Sequence, residues 1–213
     1  MVTYKKHSET KDKIFSLKNI FSSEEALIDQ FIKSNTIFNT IFLATFFIIF
    51  QYLLSQIRFF LPDNPVPITM QTFGILILGG VYGPRLTIIS ILSYIIIGIV
   101  GVPVFQGNSG GIDYFFGVTG GYLIGFIFAS TIISVLSNNG LKKGLSIWAM
   151  IIGNISIYLA AIIWLSIYDF GWPEKGSLFS QAVYPFLIGD FIKLVLASLS
   201  VNILWKLSKN LKK

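Results

Sequence analysis

From Thr36 to Trp205 the chain runs through long stretches with no ionisable side chain, interrupted only by brief charged or Gly/Pro-rich breaks. No other feature narrows the folding options as far. Crossing the hydrocarbon core of a bilayer takes about 20 apolar residues, fewer for a short helix inside a bundle. Six such stretches are legible, at roughly 36–60, 68–82, 85–101, 117–137, 145–167 and 181–206. The second and third meet at Tyr82-Gly83-Pro84-Arg85, where Gly-Pro predicts a tight turn and Pro84 argues against one long span. The expected fold is an all-α membrane protein, a bundle of six transmembrane helices over residues 36–207. Composition agrees: 54% of the 213 residues are hydrophobic and 12% charged, where soluble domains carry about 25% charge. Such numbers exclude an ordinary water-soluble enzyme and a disordered chain.

The basic residues orient the bundle. With six spans, one side receives the six Lys of residues 1–35, then Arg85, Lys142, Lys143, Lys206, Lys209, Lys212 and Lys213, which is 13 of the chain's 16. The other side receives Arg58 and Lys175, together with Asp63, Asp113, Asp169 and Glu174. The basic side is expected to be cytoplasmic, and both termini with it. A five- or seven-span arrangement scatters this pattern.

Residues 1–35 read as a polar cytoplasmic arm, and residues 208–213 as a basic cytoplasmic tail. Ser22 with Glu25 predicts a capping box opening a short amphipathic helix to about Lys33. The arm is not expected to be a signal peptide, because no short apolar stretch with a small-residue cleavage site follows its charges.

Chemistry has few places to reside. There is no Cys, and His7 is the single His. Disulfides, zinc-thiolate sites and cysteine nucleophiles are therefore excluded, and no metal or cofactor site is expected. The phosphate loop G-x-x-x-x-G-K-[ST] is absent, so the chain does not hydrolyse ATP by that route. A net charge of +6 belongs to basic cytoplasmic edges beside membrane lipid rather than to a nucleic-acid partner.

Within the spans, away from their ends, the ionisable residues are Asp190 and Lys193. Each costs about 2.5–3.5 kcal/mol at a helix centre, and their spacing of three puts them on one helix face. Two readings stand: a self-neutralising pair that stabilises packing, or a polar ligand site facing the bundle interior. The loop VPVFQGNSGGIDYFF (102–116) adds Gly107, Gly110 and Gly111, which permit close backbone approach, and the polar groups of Gln106, Asn108 and Ser109. In LPDNPVPITMQT (61–72), three prolines predict an extended lead into Thr69, Gln71 and Thr72. Gln71 should face the bundle, since a buried Gln in lipid needs a partner. All of these converge on the outer side. Gly117, Gly121, Gly125 and Ala129 form a small-residue face suited to close helix packing. Tyr122 is either an interface anchor or a wall of the site. Thr40 and Ala44 offer a shorter small face for another membrane subunit.

PVPITMQT (65–72), GPR (83–85), GVPVFQGNSGG (101–111), GVTGGYLIGF (117–126) and GDFIK (189–193) resemble the BioY family, the biotin-binding S components of energy-coupling-factor transporters. The resemblance spans about residues 50–205, in order. It implies a multi-pass protein of the cell (inner) membrane that captures biotin from outside. It also implies a membrane-embedded T component and a pair of cytoplasmic ATPases as partners. The family's head-group contacts carry over to Asp190 and Lys193, and more loosely to Asn108 and Ser109. The chain departs from the family pattern at Asn108, where Gly is frequent, and at Ile48, where a second Ala is expected after Ala44. Biotin's ureido group offers two N–H donors and one carbonyl. Asp190 suits the N–H groups, and Lys193 suits either the ureido oxygen or the valerate carboxylate. Phe105, Tyr122 and Tyr184 are expected to wall the ring and chain. The alternatives are an S component for another vitamin, a non-binding structural subunit and, least supported by a single intramembrane acid, a membrane enzyme.

Overall fold

The computed structural model of the chain describes residues 26–32, 36–141 and 146–210. The Ser22/Glu25 capping box, Lys142, Lys143 and the tail beyond Asn210 lie outside the described residues. In chain order the elements are a 3-10 turn (Ile28–Gln30), α1 (Ile37–Gln56), β1 (Arg58–Phe59), β2 (Ile68–Thr69), α2 (Gln71–Val81), α3 (Pro84–Ile99), α4 (Ile112–Phe115), α5 (Gly120–Asn138), α6 (Ser146–Ile167), α7 (Leu178–Ala182) and α8 (Tyr184–Asn210). Among the described residues, four segments are long and apolar enough to cross a membrane: α1, α5, α6 and the stretch Leu178–Ser208 formed by α7 and most of α8. The apolar helices α2 and α3 are shorter.

Local chemistry sets the boundaries. Thr36 caps α1 by accepting the Asn39 backbone N–H at 3.3 Å. Pro84 occupies the first turn of α3, where its missing N–H costs nothing. Two departures from the hydropathy boundaries matter for the site. The apolar run expected to start a span at 68 begins instead as a ribbon, with Arg58 opposite Thr69 and Phe59 opposite Ile68. Met70 N donates to Ile57 O at 3.0 Å and closes it, so α2 starts only at Gln71. The last apolar run breaks at Val183, between α7 and α8. Pro185 has no N–H to give Gln181 O, and Phe186 N turns to Val183 O at 3.1 Å. The two released carbonyls find other donors: Asn64 Nδ2 reaches Gln181 O at 3.0 Å, and the Tyr122 hydroxyl reaches Ala182 O at 2.7 Å.

Glycines set how closely the helices approach. A Cβ on Gly125 of α5 would lie 2.7 Å from Ile157 Cα of α6, and one on Gly121 would lie 2.9 Å from Ala161 Cα. The small face of α5 therefore seats α6 backbone to backbone. Gly79 of α2 meets the Ser130 carbonyl of α5 in the same way. Of the small face expected on α1, Ala44 is turned inward at 6% exposure, while Thr40 is half-buried. The arm is not wholly apart from the bundle either: Leu27 is 1% exposed, and Ile28 and Ile32 pack on the main core. At the other terminus, α8 continues through Asn210.

Candidate functional site

Asp190 and Lys193 stand one turn apart on α8, both buried, with Lys193 Nζ 2.8 Å from Asp190 Oδ1. Two further elements complete the polar cluster. Thr72, in the first turn of α2, donates to Asp190 Oδ1 at 3.2 Å and accepts from Lys193 Nζ at 3.1 Å. Tyr158, on α6, donates to Asp190 Oδ2 at 2.5 Å. The charges cancel, and each carboxylate oxygen already has a donor, which is what a buried ion pair needs to offset desolvation.

This cluster forms one wall of a cavity with an accessible volume of about 60 Å³. Clefts that hold drug-sized ligands span about 300–1,000 Å³, so the cavity is contracted. Five of the expected site residues line it: Thr69, Gln71, Tyr122, Asp190 and Lys193. Gln71 faces the bundle at 5% exposure. Its side chain donates to the Tyr94 hydroxyl at 2.9 Å and accepts from Thr69 Oγ1 at 3.2 Å. The ring of Tyr122 lines the cavity while its hydroxyl holds the Ala182 carbonyl at the α7–α8 break.

The remaining expected residues sit elsewhere, for local reasons. Tyr184 is 61% exposed. It lies six residues before Asp190, about 120° around the helix, and packs on Phe179 instead. The wall position goes to Phe186, which shares the Asp190/Lys193 face at spacings of four and seven. Phe105 is fully buried beneath the loop, 5.5 Å from Tyr94 and 5.2 Å from Tyr114 between ring centroids. The Gly-rich loop folds on itself over that ring, with Phe105 N bonded to Ser109 O at 2.9 Å. Asn108 adopts φ +56° and accepts from the Tyr52 hydroxyl at 3.0 Å, on the exposed side. Gly110 makes room for the Val102 carbonyl, Gly107 for the Arg58 guanidinium, and Gly111 turns the chain into α4 at φ +97°. Thus the loop's glycines admit other parts of this chain, and its contribution to the cavity is Gln106, with Tyr114 following from α4.

Sequence reasoning did not single out Tyr158. A tyrosine in an apolar span carries no periodic signal, and its partner lies 32 residues away. Thr72 was legible only as a neighbour of Gln71. Both touch the ion pair directly.

The chain matches the model of the BioY family over residues 26–210. It is 37% identical to a probable biotin transporter BioY of Rickettsia prowazekii (strain Madrid E), covering 64% of this chain and 70% of that one. It is 33% identical to a biotin transporter BioY of Lactococcus lactis subsp. cremoris (strain MG1363), covering 82% of this chain and 92% of that one. Among solved structures it is similar to the S-component for biotin from an ECF-type ABC transporter, with a TM-score of 0.69 and 30% identity over 82% of this chain and 95% of that one.

Proposed function

The chain belongs to the BioY family of multi-pass membrane proteins, and on that footing we propose that it captures biotin as the substrate-binding S component of an energy-coupled uptake transporter. Its role is transport, with no catalytic step of its own. The observation that carries the reading is the unspent hydrogen-bonding capacity of the buried quartet. Asp190 Oδ1 is taken by Lys193 and Thr72, and Oδ2 by Tyr158 alone. Lys193 uses two of its three N–H groups. What is left is one lone pair on Oδ2, the lone pairs of the Tyr158 oxygen and one N–H of Lys193. That is two acceptor groups beside one donor, the complement of a cyclic urea with its two N–H groups and one carbonyl.

Net neutrality of the pair points the same way. A neutral urea head leaves the charge balance intact, whereas a carboxylate there would add a second buried anion. We therefore read Lys193 as the donor to the ureido oxygen, and Tyr122, Phe186 and Ile157 as walls for the fused ring. Thr69 and Gln71 shape the floor beside them. Asn108, Ser109, Gly107, Gly110, Gly111 and Phe105 act one step removed, by holding the loop that carries Gln106. Biotin exceeds the contracted cavity, so capture requires its walls to part.

Residues 36–207 form the binding domain in this reading, with α2 and α3 also counted as spans. The arm and the tail then share the cytoplasmic face, where 13 of 16 basic residues fall. The membrane is the cell (inner) membrane. A T component and a pair of ATPases supply the energy, since the chain has no phosphate loop of its own. Equilibrium binding of labelled biotin to the purified chain tests the proposal: saturable binding displaced by unlabelled biotin is expected, and no binding refutes it.

A further inference from the structure

Resting on the biotin reading, we propose that Arg58 anchors the ligand's carboxylate at the cavity mouth. A ligand with a urea at one end of a short alkyl chain and a carboxylate at the other needs two different partners. Lys193 is committed to Asp190 at 2.8 Å, so a second cation must meet the carboxylate.

Two independent contacts put Arg58 beside the cavity. It lies opposite Thr69, a lining residue, in the β1–β2 ribbon, and directly opposed residues of an antiparallel pair project to the same face. Its Nη1 donates to Oε1 of Gln106, another lining residue, at 2.9 Å.

The guanidinium is held but not neutralised. It lies against the backbone of Gly107, where a Cβ would collide with Nη1. Its carbon stands 5.5 Å from the Phe60 ring centroid. Among the described residues no carboxylate pairs with it; the ion pair there is Lys193 with Asp190. Of its five N–H donors, Gln106 takes one, which leaves a fork free for bidentate contact with a carboxylate. Lys175 does not compete, because it lines a separate crevice with Asp169 and Glu174.

Because Arg58 is exposed, the contribution is a modest, salt-sensitive one. The test compares biotin with biotinamide, whose tail is neutral, in the full-length chain and in Arg58→Gln and Arg58→Lys. The unaltered chain should prefer biotin by about tenfold. Arg58→Gln should bring that ratio to within about twofold by weakening biotin alone, with biotinamide unchanged, and Arg58→Lys should retain part of the preference through its point charge. Raising KCl from about 0.05 to about 0.5 M should erode biotin affinity but not biotinamide affinity. Equal affinity of the unaltered chain for both ligands overturns the assignment and leaves the biotin reading standing. An undiminished ratio in Arg58→Gln also overturns it, as does parallel weakening of both ligands. Should Arg58→Gln not fold, the salt titration decides, and a salt-independent ratio overturns it. Binding of neither ligand to the unaltered chain would instead refute the biotin reading.

Discussion

Taking the buried pair apart one charge at a time should damage the protein unequally, and removing both should repair stability without repairing binding. Deleting one partner of a buried ion pair costs about 3–5 kcal/mol, because the other charge is left uncompensated. The two survivors here are not equally stranded. After Asp190→Asn, the Lys193 ammonium loses its counter-ion and keeps only neutral acceptors, the Thr72 hydroxyl at 3.1 Å and the introduced amide oxygen. After Lys193→Met, the Asp190 carboxylate keeps two hydroxyl donors, Thr72 at 3.2 Å and Tyr158 at 2.5 Å. Hydrogen bonds to a charged group contribute about 1.5–3 kcal/mol each, so Lys193→Met should cost closer to 2 kcal/mol, against about 4 for Asp190→Asn. The double variant carries no buried charge and keeps an amide within reach of the Thr72 and Tyr158 hydroxyls, so it should regain most of the loss. Biotin affinity should fall by about tenfold or more in all three, because each leaves part of the ureido head without its partner, at roughly 1–3 kcal/mol per group. Thermal unfolding in detergent, followed by tryptophan fluorescence, ranks the stabilities, and titration calorimetry gives the affinities. A double variant as unstable as Asp190→Asn, or one that still binds biotin within about threefold, would sink this account of the pair.

Two further outcomes follow from the packing. Tyr158→Phe removes a hydroxyl that donates to Asp190 Oδ2 and that, in the proposed reading, also offers a lone pair to the ligand. Biotin affinity should drop by about tenfold while desthiobiotin, which keeps the urea, drops in parallel; a ligand-dependent difference would show that the ring, not the hydroxyl, matters. Gly125→Ala pushes a Cβ to 2.7 Å from Ile157 Cα and 2.9 Å from its carbonyl oxygen, neither of which can rotate away. Overpacking of this kind costs about 1–3 kcal/mol, and because Ile157 and Tyr158 line the cavity, affinity should fall with the melting temperature. An unchanged melting curve would mean that α5 and α6 are less tightly seated than described.

Reading the sequence worked best where a residue violated its surroundings. Asp190 and Lys193 stand out because charge is costly in an apolar run, and the structure buries them against each other. Gln71 stood out for the same reason. Tyr158 did not, since nothing local distinguishes it from the other tyrosines, and its role exists only once α6 lies beside α8. Glycine gave a partial signal. Close approach was foreseeable at residues 107, 110 and 111, and the structure brings Arg58 to Gly107, the Val102 carbonyl to Gly110 and a turn of the chain to Gly111. Hydropathy located the apolar runs but not their ends. The segment Ile57-Arg58-Phe59-Phe60 is equally good as helix or strand, and the choice fell to the ribbon because the segment at 68–70 returns alongside it.

The break before Pro185 ties together pieces that the chain order keeps far apart. Asn64 belongs to the proline-stiffened loop and Tyr122 to α5, and each grips one of the two adjacent carbonyls that the proline sets free. Loop, α5 and the end of α7 thus share a single joint at the break before α8. Moving the loop or α5 away would leave a carbonyl at the break without its donor, so a displacement of either is expected to be felt at the break and at the other.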